Sequence, residues 1–524
     1  MRLLLRVAFA CFVVIKALVL TAASSSESAS HREAPGDELP DVRPPPVQRT
    51  FTSDAVEHAI TNISANIASP QLARLFANAL PNTLDTTVRH FDESKPDTFI
   101  ITGDIDAMWI RDAANQVWPY LHFINDDARL DRLLLGVVAR MSKQIKLDAY
   151  ANAFQPNATC APSQHAGDRR TPPMQRGVFE GKFELDSLAH FLRLSAAYVR
   201  FSSNKAEAAQ RVINLPDWND ALEALLGVLD EQSKSSDEQE QEPSPAYGFA
   251  RVTDTALDTL AIAANCTGSK GLGETTPGTR TGLVRSHFRP SDDASTFPFP
   301  VAANIMTSCE LSNVATYILR PTGALDVAKR CDAFSAAIAL GVLNWGATSV
   351  DEAGELTFAY EIDGYGSRLL MDDANVPSLL ALPLYWHADG GSFRSIYDVT
   401  RRRILSSANP FYACSTTGRR VCGVGSPHVG RRWIWPLSLV VQGWTAVASR
   451  NATEICEVLD ALVLSSAGTG LLHESFDPND PAHFTRSWFA MVNSLFGDLI
   501  VKTSREMPDV LAHPDVACNK EKMF

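Results

Sequence analysis

Residues 486–500 read RSWFAMVNSLFGDLI, and their spacing decides the fold class. Trp488, Phe489, Val492, Leu495, Phe496, Leu499 and Ile500 fall at i, i+1, i+4, i+7, i+8, i+11 and i+12, which puts them on one face of an α-helix. Residues 452–468, ATEICEVLDALVLSSAG, repeat the pattern with Ile455, Leu459, Leu462 and Val463, and Gly468 supplies a stop. The same period predicts helices over roughly 55–68, 108–124, 128–148, 183–201, 217–230, 252–264, 300–319, 322–342, 394–407 and 434–449. Only short strand candidates lie between them, such as ELTFAYEI at 355–362. Neither a βαβ alternation with a glycine-rich phosphate loop nor a recurring repeat is visible, which disfavours a dinucleotide-binding fold and a solenoid. The chain therefore reads as a helical toroid, which periodicity alone does not separate from an irregular α bundle.

The bulk composition narrows the partners. A chain of 524 residues with 45% hydrophobic content supports a large core. Its net charge of -13, with no block rich in Lys and Arg, excludes nucleic acid as the main partner. The N-terminus places Arg2 and Arg6 ahead of an apolar run from Val7 to Ile15, then Lys16, then small residues. That order is a secretory signal over 1–24, with cleavage expected near Ala22 to Ser25. Lys16 argues against a stable membrane span, and a short signal anchor stays open as the alternative. Residues 25–50 are polar and proline-rich and read as a disordered linker, 51–510 as the folded domain, and 511–524 as a tail. Within the domain, the acidic stretch 230–248 lacks apolar periodicity and reads as an exposed insertion loop.

Setting aside Cys11 in the signal leaves an even number of cysteines, as an oxidising compartment favours. Cys414 and Cys422 flank STTGRRV and can close a small loop, whereas Cys160, Cys266, Cys309, Cys331, Cys456 and Cys518 are open between disulfides and free thiols. Sequons at Asn62, Asn157, Asn265 and Asn451 suit the same lumenal or secreted setting.

Chemistry concentrates in TGDIDAMWIRDAANQVWPYL, residues 102–121, where Asp104, Asp106, Arg111 and Asp112 stand among Trp109, Trp118 and Tyr120. Buried charges cost several kcal/mol each unless paired, so the stretch is either a structural ion network or the floor of a pocket for a polyhydroxyl ligand. Carboxylates and guanidinium forks bind vicinal hydroxyls, and aromatic faces cover the C–H face of a sugar ring. Similar polar and aromatic clusters recur at 177–192 (GVFEGKFELDSLAHFL), 285–306, 360–380, 423–436 and 470–489.

These blocks, and above all TGDIDAMWIRDA, MDDANVPSLL and the HESF and FTRSWF motifs, resemble glycoside hydrolase family 125, the exo-α-1,6-mannosidases, over about residues 55–505. The resemblance implies an all-α (α/α)6 barrel with short β elements in loops, hydrolysis of terminal α-1,6-linked mannose with inversion, and no metal or other cofactor. By the same resemblance Asp186 of ELDSL is the general acid and Glu474 of HES the general base. The residues support those roles on their own chemistry: Asp186 stands among Phe183, Leu185 and Leu188, which raises a carboxyl pKa, although Asp-Ser before an apolar helix is also an N-cap signal. Glu474 sits in a loop between two helices with His473 beside it and Arg486 and Trp488 following, although a surface glutamate is the simpler reading of the dipeptide. Arg111, Asp112, Asp363, Asp372, Asp373 and Asn375 are the implied hydroxyl-binding residues, joined by Gln116, Asn304, His428, Trp435, His473 and Arg486. Asp372-Asp373 lacks the spaced oxygen ligands of a calcium loop, and no H-E-x-x-H occurs. Two rivals remain on sequence grounds: a metal-dependent α-mannosidase or glucoamylase-like hydrolase of another (α/α) class, and a non-catalytic glycan receptor on the same barrel. The family often carries serine where this chain has Ala113, which bears on fine substrate preference.

Overall fold

Outer and inner helices alternate along the chain and close into an (α/α)6 barrel, seen in a computed structural model that describes residues 38–251, 280–349, 354–386 and 391–514. The first outer pair is α1 (Asp54–Ser64) and α2 (Pro70–Ala79), followed by the short α3 (Asn82–Thr86) and the inner helix α4 (Ile110–Val117). The outer α5 (Ala128–Leu147) precedes the inner α6 (Leu185–Phe201), and the outer α7 (Lys205–Ile213) and α8 (Trp218–Gln232), with the short α9 (Ser236–Glu240), precede the inner α10 (Val301–Val314). After the outer α11 (Leu325–Gly341), the inner place is taken by an irregular segment with a 3-10 turn at Leu382–Leu384. The outer α12 (Gly391–Ile404) and inner α13 (Pro436–Ser449), then the outer α14 (Ala452–Ser465) and inner α15 (Ala490–Glu506), complete the ring, and α16 (Pro508–Ala512) follows. Each inner element packs on the next, and α15 returns to α4.

Burial follows from that placement. Every residue from Leu185 to Val199 in α6 and from Ala490 to Val501 in α15 is buried, because an inner helix is covered on all sides. Their polar residues therefore need internal partners, as when Ser494 Oγ pairs with Thr83 Oγ1 at 2.8 Å. Short two- and three-stranded sheets sit in the loops that lead into the inner helices. Met108–Trp109, Ala153–Phe154 and Val178–Glu180 form one, and Ser475–Asp477 pairs with Asp480–Thr485 in another. ELTFAYEI splits into two strands, Leu356–Phe358 and Glu361–Ile362.

Several expectations change. The helix over 486–500 starts only at Ala490; Trp488 and Phe489 belong to the connection that leaves the 475–485 hairpin. The acidic stretch 230–248 is not a continuous exposed loop: α8 runs on to Gln232 and Ser235 opens α9 with a capping box. Asp186 is not an N-cap; it lies in the first turn of α6, whose N-cap is Glu184. Of the helices that were missed, two have legible starts, α2 at Ser69-Pro70 and α7 at Asn204, each with a side-chain cap. The helix expected over 252–264 lies outside the described residues. Cys414 and Cys422 are joined in a disulfide, while Cys160, Cys309 and Cys331 are free thiols. Among the described residues no helix is long and apolar enough to cross a membrane.

Candidate active site

The loops entering the inner helices converge on one cavity. Trp109, Arg111 and Asp112 come from the start of α4, Asp292 from the connection before α10, and Asn375 from the irregular inner segment. His428 and Trp435 precede α13, while Glu474, Arg486 and Phe489 precede α15. The 475–485 hairpin pairs Ser475 with Thr485, and this register brings Glu474 and Arg486 side by side at its base. Arg486 Nε donates to Glu474 Oε1 at 3.0 Å, Thr485 Oγ1 donates to Oε2 at 3.0 Å, and Arg486 Nη1 reaches Asp104 Oδ2 at 2.5 Å. Gly103, at φ 139°, lets the opening stretch lie against Trp488, since a Cβ there would meet the indole at 3.2 Å.

Arg111 organises the other wall. Its Nη1 donates to Glu184 Oε2 at 2.7 Å and Asp186 Oδ2 at 3.3 Å, its Nη2 donates to Asp292 Oδ1 at 2.7 Å, and Asp112 Oδ2 lies 3.6 Å from Nε. One guanidinium does not neutralise four carboxylates at this depth, so the cluster retains protons. Burial pushes Asp112 and Asp186 each up to about 6 and Glu184 well above the usual carboxylate range. Asp292 goes the other way: against its burial, Arg111 and Lys182 hold it below that range, and it shares a hydrogen bond with Glu184. Of the two, Glu184 is the one inclined to hold a proton and Asp292 the one inclined to lose it.

A family model for metal-independent α-mannosidases (GH125) matches residues 69–501. The chain belongs to glycoside hydrolase family 125. It is 41% identical over 483 residues to the Meiotically up-regulated gene 157 protein of Schizosaccharomyces pombe, covering 90% of each chain. A metal-independent α-mannosidase of Streptococcus pneumoniae, solved in a non-productive complex with α-1,6-mannobiose, shares 31% identity and a TM-score of 0.71, covering 86% of this chain and 98% of its own.

Within this family 125 glycosidase the expected site residues divide into two groups. Arg111, Asp112, Asn375, His428, Trp435, Glu474 and Arg486 line the cavity. Asp186 does not: its side chain is 0% exposed behind Arg111, and Oδ1 has no partner among the described residues. Asp363 closes its own turn, accepting the backbone N–H groups of Tyr365, Gly366 and Ser367, and Asp372 accepts those of Leu379 and Leu380. Asp373 Oδ1 accepts both the backbone and side-chain N–H of Asn375 and so holds a cavity residue in place. The Asn304 amide is spent on Val284 and Pro300, and Gln116 donates to Ile101 O. His473 is buried under Phe484, stacked at 3.5 Å, with Nδ1 on Arg486 O, so it supports the hairpin base without touching the cavity.

Sequence reasoning missed Asp292, Asp293 and Glu184 as individual residues, although all three lie inside blocks it singled out. Adjacent acids in SDDA give no hint of which carboxyl will reach a cavity. Asp293 Oδ1 accepts from His428 Nδ1 at 3.0 Å and, against burial of the ring, lifts His428 to about 9. A cationic donor therefore stands beside Trp435, whose Nε1 has no partner among the described residues. Together they suit the hydroxyl groups and the C–H face of a pyranose ring.

Proposed function

We propose that this family 125 glycosidase is an exo-acting, inverting α-mannosidase that removes terminal α-1,6-linked mannose, with Glu474 as general base and Asp292, in place of Asp186, as the carboxyl that meets the leaving oxygen. The observation that carries this reading is that Glu474 and Asp292 reach the same cavity on separate hydrogen-bond networks, one on Arg486 and Thr485, the other on Arg111. Inversion needs two carboxyl groups in opposite protonation states, one activating water and one protonating the departing oxygen. Glu474 accepts from Arg486 Nε on one oxygen and from Thr485 Oγ1 on the other, which fixes its orientation toward the cavity. Asp292 has Glu184 and its proton behind it, and its side chain is 27% exposed where that of Asp186 is sealed. A bound ring displaces the remaining solvent from Asp292, which raises its proton affinity and draws the shared proton toward the cavity. Asp186 and Asp112 set the field around Arg111. Linkage specificity is supported by the α-1,6-mannobiose held by the pneumococcal relative.

Proton NMR of early product from α-1,6-mannobiose tests this directly. β-Mannose appearing first, from the non-reducing end, is the expected result; α-mannose first, or equal rates on α-1,2- and α-1,3-mannobiose, sinks the mechanism or the specificity. Passage through the secretory route is part of the proposal and is supported by the Cys414–Cys422 disulfide. Asn62 and Asn157 are exposed, whereas the Asn451 side chain caps α14, so glycans are expected on the first two before the third. Glycopeptide mapping, with sequencing of the mature N-terminus, checks this.

A further inference from the structure

Behind the carboxyl group that meets the leaving oxygen stands a lysine with no place on the cavity wall. Lys182 follows the Val178–Glu180 strand, and its side chain is 3% exposed. A buried ammonium is costly unless its hydrogens find acceptors. An ion cluster supplies part of the answer: Glu180 Oε1 lies 3.3 Å from Nζ, and Arg251 spans Glu180 at 2.5 Å and Asp168 at 2.9 Å. Two cations thus face two carboxylates, which accounts for the charge of Lys182. It does not account for where the nitrogen points. Nζ donates at 2.8 Å, closer than its distance to Glu180, to the backbone carbonyl of Asp292.

Asp292 is a residue whose backbone needs holding. Its φ is 64°, in the left-handed region that glycine enters at no steric cost. The chain turns tightly there: Asp292 N–H donates to Arg289 O at 2.9 Å, and Arg289 N–H donates to Asp293 O at 2.8 Å. Glycine is the usual residue at the left-handed end of such a turn, but it would bring no carboxyl group to the cavity. The segment that carries Lys182 is itself fixed. Tyr247 Oη donates to Gly181 O at 2.9 Å and accepts from Phe183 N–H at 3.0 Å, and Lys182 N–H donates to Asn152 Oδ1 at 3.3 Å. The same segment grips the turn a second time, through Phe288 N–H to Phe183 O at 3.1 Å. Holding the Asp292 carbonyl fixes the rotation of the backbone beside the Cα from which its carboxyl group projects. We propose that Lys182 is a positioning residue for proton donation: by pinning the Asp292 carbonyl to a rigid segment, it keeps the carboxyl group on Arg111 and facing the cavity. This rests on the reading of Asp292 as the group that protonates the leaving oxygen.

The test compares two substrates on the full-length protein, α-1,6-mannobiose and 2,4-dinitrophenyl α-mannoside, whose phenolate departs without needing a proton. Asp292→Asn should lose about 10²–10⁴-fold in kcat on mannobiose and far less on the aryl mannoside. Lys182→Met should follow the same pattern on a smaller scale, losing about 10–10²-fold on mannobiose and staying within about threefold on the aryl mannoside. Lys182→Gln, which keeps a shorter neutral donor, should show the same selectivity and carries the test where Lys182→Met does not fold, as judged by thermal melting. Loss of equal size on both substrates, or no loss on mannobiose, would make Lys182 a member of the ion cluster alone and overturn the proposal. If Asp292→Asn itself loses equally on both substrates, the proton-donor reading fails instead, whatever Lys182 does.

Discussion

The two ends of the inner helices use charge in opposite ways. At the active site Arg111 faces Asp112, Glu184, Asp186 and Asp292, an excess of carboxyl groups that forces protons to stay in the cluster. At the far end Arg193 of α6 lies 3.8 Å from Glu310, Lys502 of α15 pairs with Glu506, and His122 bridges Asp498 and Arg505. Surplus carboxyl groups near a proton are what acid–base chemistry needs, whereas paired charges serve the fold. The charges also differ in depth: the side chains of Glu184 and Asp186 are 0% exposed, whereas those of Lys502 and Glu506 are 31% and 41% exposed.

The sharpest way to break that contrast is at the carboxylates. Asp292→Asn and Glu474→Gln should each lower kcat by about 10²–10⁴-fold, whereas Asp186→Asn, acting only through Arg111, should cost no more than about tenfold. Steady-state kinetics that reversed Asp292 and Asp186 would return the proton donor to the residue expected from sequence. Arg111→Met comes next: leaving buried carboxyl groups without their cation should destabilise the fold by about 3–5 kcal/mol, read from denaturant unfolding. Thr485→Val removes one donor from Glu474 and should reduce kcat by about tenfold while KM holds.

Smaller still is the dependence of stability on pH. Burial raises Asp112 and Asp186 to about 6 and Asp372 to about 7, so between about pH 4 and 7 the folded state holds protons that the unfolded state releases. Stability therefore falls as pH rises through that window. His428, lifted to about 9 by Asp293, adds stability below about 6.5 that is lost as pH rises through 9, in the same direction. Thermal melts should show a Tm that drops by a few degrees from pH 5 to 9, flattened above pH 7 in His428→Asn. The smallest expected effect is Trp444→Phe in α13, with mannobiose hydrolysis unchanged; a large loss there would mean that this part of α13 is coupled to the active site.

The sequence by itself determined the fold class and pointed to many of the residues that line the cavity. Helical periodicity survives any tertiary arrangement because it reflects which faces must leave water, and the polar blocks before inner helices mark loops where chain entropy is spent on function. Periodicity was misleading at Trp488 and Phe489, which share the α15 pattern but serve the hairpin connection, while Asp372 and Asn304, implied by the family resemblance, spend their polar groups on backbone. Only the tertiary structure decided which acid of each block meets the cavity. Asp186 and Asp292 lie on one guanidinium, more than a hundred positions apart in the chain; which of them is sealed depends on how α6 and the connection before α10 pack around Arg111. Proton affinity follows from that packing, because it is set by solvent exclusion and by neighbours brought from distant segments, neither of which is encoded in local spacing.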